Sequence, residues 1–226
     1  MAIKLDVQVT VVTDSFKDAV KEIIQKKVMM LDAKRSSLNM SAYGAQKHRE
    51  QLEKNLRLAK RLLTAQGQDR MITALKRMKF EKFYCLKAPS KEVFLCGKTD
   101  DMLLTLRNGH KYNVGPYHIC IGESAIIGDS LTQIHMFPHR KPLAEARHLH
   151  HGARRYNGND EIKHPLMMHT NTCWGNVGSS FVSAKNEADI ADMFRVLYIY
   201  VSRLNYGSPL YSGWDREVVH GYGVAV

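Results

Sequence analysis

Residues 80–137, FEKFYCLKAPSKEVFLCGKTDDMLLTLRNGHKYNVGPYHICIGESAIIGDSLTQIHMF, decide the fold. Residues 83–86, 92–96, 102–106, 117–121 and 131–137 form short runs that are apolar or alternate between apolar and polar. Side chains on a strand point alternately to its two faces, so runs of this length and period read as strands. Turn-forming residues separate them: Ala88-Pro89, the polar tract 98–101, Asn108-Gly109 and Gly122. Closely spaced strands joined by tight turns predict an antiparallel meander.

Toward the N-terminus the pattern changes. Ile3, Leu5, Val7, Val9 and Val11 alternate as one side of a strand. Asp14-Ser15 then offers an N-cap, and Phe16, Val20, Ile23, Ile24 and Leu31 recur at helical spacing. Polar and small residues over 36–44 predict a turn or a kink. A second helical stripe holds Leu52, Leu56, Ala59 and Leu63 and is expected to stop near Gly67, with a short continuation through Met71, Leu75 and Met78. The expected organisation is α+β: residues 1–79 form a strand and a basic helical arm or hairpin, and residues 80–226 form a domain built on a four-stranded meander and a C-terminal helix. The arm is only partly heptad-like; it offers a partner-binding helix pair or a surface for homo-oligomerisation.

Beyond the meander, residues 138–172 are polar and contain Pro138, Pro142, Gly152, Asn157-Gly158 and Pro165. A connection this long inside a compact domain is usually functional. Helical structure is expected to return with Asn186 as N-cap and Glu187 and Asp189 in the first turn. The stripe Ile190, Met193, Phe194, Leu197, Tyr198, Val201 and Leu204 follows, and it reads as core.

Composition narrows the functional classes. The first residues lack the charged start and continuous apolar run of a signal peptide, and the most apolar helical stretch, 193–201, is interrupted by Arg195 and too short to span a bilayer. No phosphate-cradling GxxxxGK[ST] loop is present. A soluble cytoplasmic protein with free thiols is expected. Of its cysteines, Cys85, Cys96 and Cys120 lie in strand-like apolar runs and read as small core residues. The net charge is +11, of which residues 1–80 carry +9. A basic N-terminal third favours acidic partners, nucleic acid included, through Lys47, Arg49, Lys54, Arg57, Lys60 and Arg61. The alternative is that these residues merely solvate the outer faces of helices.

The fourth cysteine has a different setting. It lies in His164-Pro-Leu-Met-Met-His169-Thr-Asn171-Thr-Cys173-Trp-Gly-Asn176, followed by Val177-Gly178. Glycines on both sides of a turn let backbone N–H groups approach a ligand or an anionic intermediate. A cysteine needs thiolate character to attack a carbonyl, which an imidazolium or backbone donors can supply. His164 and His169 are near in sequence, and Asn171 and Asn176 are candidate oxyanion donors. A buried Cys packed beside Trp174 is the structural alternative. A cysteine hydrolase pairing Cys173 with His164 or His169 is a weaker reading, because the first helix expected after Cys173 begins only near Asn186 and lends it no dipole. His135, His139, His148, His150 and His151 crowd the same region, but no ligand pair has the spacing of a zinc motif. Neither a metal nor another cofactor is expected.

The order of helix, meander, long loop, His-Pro, a Cys about eight residues later and a C-terminal helix resembles the ubiquitin-conjugating (E2) fold. The segment HPLMMHTNTCWGN is similar to bacterial and phage-borne E2-like proteins, in which a His-Pro triplet precedes Cys-x-Gly-Asn. The resemblance covers residues 80–210. It implies that Cys173 carries a ubiquitin-like protein as a thioester delivered by an E1-like protein, with His164 and Pro165 shaping the loop. Leu166 stands where the family has the Asn that supports the oxyanion, so Asn171 or Asn176 would have to supply that donor. The same resemblance accommodates a non-catalytic structural or interaction protein, of phage or mobile-element type, that keeps the fold as a scaffold and contacts partners or nucleic acid through its basic helices.

Overall fold

The structure, a computed structural model, describes residues 10–37, 43–105, 109, 111–113, 116–128, 133–138, 177–202 and 224–225. It is α+β, with a five-stranded mixed sheet, a small three-stranded sheet and six helices among those residues.

The chain enters through β1 (Val11–Val12), which pairs in parallel with β2 (Phe80–Lys87). Parallel neighbours need a crossover, and three helices supply it: α1 (Asp14–Ser37), α2 (Tyr43–Leu62) and α3 (Ala65–Lys76). Of the segment read as a strand and helical arm, Val11 and Val12 therefore take part in the sheet; Ile3, Leu5, Val7 and Val9 lie outside the described residues. From β2 the sheet continues through antiparallel pairings to β3 (Val93–Thr99), β6 (Tyr117–Gly122) and β7 (Ile134–Pro138). Residues 102–106 do not add a strand to it. Their residues 103–105 form β4 (Leu103–Thr105), which pairs with β5 (Lys111–Asn113), and β5 pairs with β8 (Val224–Ala225) in the separate small sheet. Between β6 and β7 lies the short helix α4 (Glu123–Ile127); α5 (Val177–Asn186) and α6 (Ile190–Ser202) follow.

Strand alternation sorts the sheet into two faces. Phe83, Leu95, Ile119, Ile121, Ile134 and Met136 share one buried cluster with Phe16, Val20, Ile23 and Ile24 of α1, Leu52 and Leu56 of α2, Leu75 of α3, and Phe194 and Leu197 of α6. Among the described residues this cluster draws on elements from both sides of residue 79. At its centre Phe194 sits 5.0 Å from Phe83 and 6.0 Å from both Phe16 and Phe80, measured between ring centroids. The opposite face carries the second cluster, Phe94, Cys96 and Cys120. Gly97 faces the aromatic centre: a Cβ there would lie 2.7 Å from the Phe80 ring, so the strand must present glycine where the rings crowd it.

Helix ends differ from the sequence expectation by identifiable bonds. Thr13, one residue earlier than expected, caps α1: its Oγ1 accepts from the Phe16 N–H at 3.3 Å. Gly67 was expected to stop a helix and instead lies in the first turn of α3, whose N-cap Thr64 accepts from the Gly67 N–H at 3.1 Å. The reason for glycine is steric: a Cβ at position 67 would stand 2.1 Å from the Arg61 carbonyl oxygen, where α2 ends against α3. Gly67→Ala is expected to destabilise by about 2 kcal/mol despite the better helix propensity of alanine, because backbone must move. A fall in the thermal midpoint measures it, and an unchanged midpoint would show that the α2–α3 corner relaxes freely.

The sequence places the return of helical structure at Asn186, whereas α5 already spans Val177–Asn186. Gly178, Ser179 and Ser180 are weak helix formers, and only Phe181, Ala184 and Lys185 of this helix are buried, too few for a clear stripe. Asn186 ends α5, and Asp189 caps α6 by accepting from the Asp192 N–H at 2.9 Å. The turn between them is a Schellman motif: Asp189 N–H donates to the Ala184 carbonyl and Ala188 N–H to the Lys185 carbonyl. Ala188 occupies the left-handed position at φ 59°, where glycine is usual, and its methyl is fully buried. Core packing offsets a backbone cost of about 1–2 kcal/mol.

Candidate functional site

The Cys-His segment, with His164, Asn171, Cys173 and Asn176, lies outside the described residues, as do His139, His148, His150, His151 and His169. Its two anchors are described. Residues 139–176 leave from β7 at Pro138 and rejoin at Val177, so the helix after Cys173 starts four residues beyond it, not near Asn186. That corrects the ground on which a helix dipole near Cys173 was discounted: a helix N-terminus follows the cysteine four residues on, at Val177.

The position of α5 is fixed from below by a residue that the sequence reading passed over. Lys27 lies on the buried side of α1 and is 2 % exposed. Its ammonium donates to the Ile126 carbonyl at 2.7 Å and the Lys185 carbonyl at 2.6 Å. Both acceptors are the penultimate residues of their helices, α4 and α5, where carbonyls lack intrahelical partners and the dipole favours a cation. One side chain of α1 thus ties together the helix before β7 and the helix after Cys173. The signal was legible: position 27 falls on the stripe of Phe16, Val20, Ile23, Ile24 and Leu31, where a charged residue is out of place.

The second face of the sheet carries an unanticipated row. Tyr84, Cys96, Cys120 and His135 are register partners across β2, β3, β6 and β7. Tyr84 Oη lies 2.7 Å from Nδ1 of His118, a buried residue of β6. Burial, reinforced by the neighbouring Cys120, pushes the Cys96 thiol well up, and burial does the same to the Tyr84 phenol, with the sulfurs of Cys120 and Cys96 adding to it. A protonated, enclosed thiol is a poor nucleophile, so Cys96 acts as packing, and Cys120 is buried beside it. Among the described residues no group of three His, Cys, Asp or Glu side chains is placed to hold a metal ion.

No family model, curated protein or solved structure matches this chain.

The six basic residues singled out from the sequence are all on α2, and the structure divides them. Arg49 pairs with Glu53 at 3.1 Å, Lys60 with Asp32 at 3.3 Å and Lys54 with Glu187 at 3.7 Å. Lys47, Arg57 and Arg61 are exposed and have no ion-pair partner among the described residues. Near the start of β2, burial and the charges of Glu81 and Asp101 raise the carboxyl of Asp100, which in turn adds to burial in raising Tyr198. Among the described residues no helix is long and apolar enough to cross a membrane.

Proposed function

We propose that this chain is an E2-like acyl carrier whose Cys173 holds a ubiquitin-like protein as a thioester. The observation that carries the reading is the order of elements around the cysteine. Helices α1 to α3 precede four strands that pair antiparallel with one another, β2, β3, β6 and β7, with β1 added in parallel at the edge and α4 between the last two; the segment with His164-Pro165 and Cys173 then connects β7 to α5. The chemistry is thioester exchange. The Cys173 thiolate attacks the carbonyl that joins the modifier's C-terminus to an E1-like cysteine, and that cysteine leaves as a thiolate and takes up a proton. With Leu166 at the position of the family's Asn, Asn171 and Asn176 are the side chains available to donate to the oxyanion.

The test is direct. Incubation with ATP, an E1-like protein and its ubiquitin-like modifier should give an adduct that a reducing thiol cleaves. Cys173→Ser should give a thiol-resistant ester, and Cys173→Ala should give none. An adduct that persists in Cys173→Ala, or no adduct from the unaltered protein, would sink the proposal. Asn171→Ala and Asn176→Ala identify the oxyanion donor by which one slows discharge to free lysine at unchanged loading.

A second reading, a non-catalytic interaction or structural protein on the same scaffold, is favoured by the exposed basic residues of α2. Under it, Cys173→Ala leaves biological activity intact. Deleting residues 1–79 cannot separate the two readings, because it would strip Phe16, Val20, Ile23 and Leu75 from the shared core; point substitutions on the outer face of α2 can.

A further inference from the structure

Residues 43–79 hold ten Lys and Arg against three Asp and Glu, so +7 of the chain's +11 lies in α2, α3 and the short link to β2. On α2 the buried residues Leu52, Leu56 and Ala59 mark the inner side. At 100° per residue, Lys47, Lys54, Arg57 and Arg61 fall within an arc of about 80° on the opposite side, spread over about 21 Å of helix. All four are exposed. Lys54 is spoken for only by a long contact to Glu187, at 3.7 Å. Glu50 is the one acid in the arc, and Gln46 Nε2 donates to its Oε1 at 3.3 Å.

What this face lacks identifies its partner. Among the described residues the exposed large apolar side chains are Val11, Met29, Leu103, Val182 and Ile199, none of them on α2 or α3. A helix that lies in a membrane interface needs an apolar face to insert. A protein interface needs a dehydrated apolar or aromatic centre. Between Lys47 and Arg61 the outer face of α2 carries no exposed large apolar side chain, Leu58 at its edge being half-buried. A phosphate backbone requires neither, since its affinity comes from released counterions and from Arg and Lys contacts to phosphate oxygens. Residues 46–61 also contain no Phe, Tyr or Trp on which unpaired bases could stack; the helix's one such residue is Tyr43, its first.

We infer that the outer face of α2 is a docking surface for the phosphate backbone of double-stranded nucleic acid, read without base specificity through Lys47, Lys54, Arg57 and Arg61. This surface is independent of Cys173 and serves the chain under either reading of that residue.

The experiment is fluorescence anisotropy of the full chain against labelled DNA duplexes of about 20 base pairs, in two unrelated sequences, over a range of salt. Three to four phosphate contacts predict equal affinities for both sequences and a slope of log affinity on log salt of about −3. Arg57→Glu/Arg61→Glu is expected to weaken binding at least about 30-fold and to flatten the slope by about 2. Lys82→Glu/Lys87→Glu, which reverses two exposed lysines of β2, changes net charge equally and should shift affinity less than about 3-fold. All four sites are exposed, and matching far-UV circular dichroism verifies the fold. Equal losses in the two double variants would reduce the effect to net charge and overturn the assignment. So would failure of the unaltered chain to bind duplex, or binding to phosphatidylserine vesicles or polyglutamate that matches binding to duplex.

Discussion

Phe194→Ala is expected to lower the unfolding free energy by about 3–5 kcal/mol, the range for truncating a fully buried aromatic. The ring is fully buried and meets Phe83 edge-on at 5.0 Å, Phe80 edge-on at 6.0 Å and Phe16 tilted at 6.0 Å. Tilted and edge-to-face pairs add about 0.5–1.5 kcal/mol each beyond the area they bury. The rings come from α1, β2 and α6, so collapse into the vacated space would require three elements to move at once. Total stabilities of domains are about 5–15 kcal/mol, and this single truncation removes a large share. Urea unfolding followed by circular dichroism should show one transition with a lowered midpoint and nearly unchanged slope. Ile199→Ala on the same helix, at a residue 36 % exposed, should cost far less. A loss under about 1.5 kcal/mol for Phe194→Ala, or two transitions of which only one moves, would mean that α1 and the sheet do not share a working core.

The parts of the fold legible in the sequence were those with a strong period. The α1 stripe from Phe16 to Leu31 is buried as its spacing requires, as are Ile190, Met193, Phe194, Leu197 and Val201 of α6; Tyr198 is half-buried and Leu204 lies outside the described residues. The runs at 83–86, 92–96, 117–121 and 131–137 overlap strands of the main sheet. Pairing was less legible than existence. Residues 102–106 have strand character, yet local pattern does not say which partner a strand takes, and β4 joins β5 and β8 instead. Parallel addition of β1 is a long-range event for the same reason: Val11 meets Lys82 across three helices. Caps were misplaced where two candidates stood side by side, Thr13 beside Asp14 and Asp189 beyond Asn186, because only geometry decides which oxygen reaches the free N–H. Gly67 misled because glycine is a stop signal in sequence but here a spacer between two backbones. As for the site, the sequence nominates Cys173, while the described structure contributes its anchors, β7 and α5, and the tie that holds α5 in place.

That tie is where the second large effect is expected. Lys27→Met keeps the length and apolar stem of the side chain and removes only the ammonium. Two terms oppose each other. Removing a buried cation recovers its desolvation cost, which is why replacing a whole buried ionic group by apolar residues is often neutral. Here, however, the partners remain: the Ile126 and Lys185 carbonyls lose donors at 2.7 and 2.6 Å in a buried setting. An acceptor stranded in this way costs about 1–3 kcal/mol, and hydrogen bonds from a charged donor are the stronger kind. The Lys185 carbonyl keeps the bond from Ala188 N–H at 3.1 Å, so its loss is partial and that of Ile126 is the larger. The net expectation is a destabilisation of about 3 kcal/mol. The damage should be local first, because α4 and α5 lose their common anchor while Phe194 and the sheet keep theirs. Amide exchange should therefore accelerate at the end of α5, at Ala188 and Asp189, more than in β3 or β6. Uniform acceleration across the sheet would place Lys27 in the global core rather than at this junction, and a change below about 1 kcal/mol would mean that water replaces the ammonium at both carbonyls.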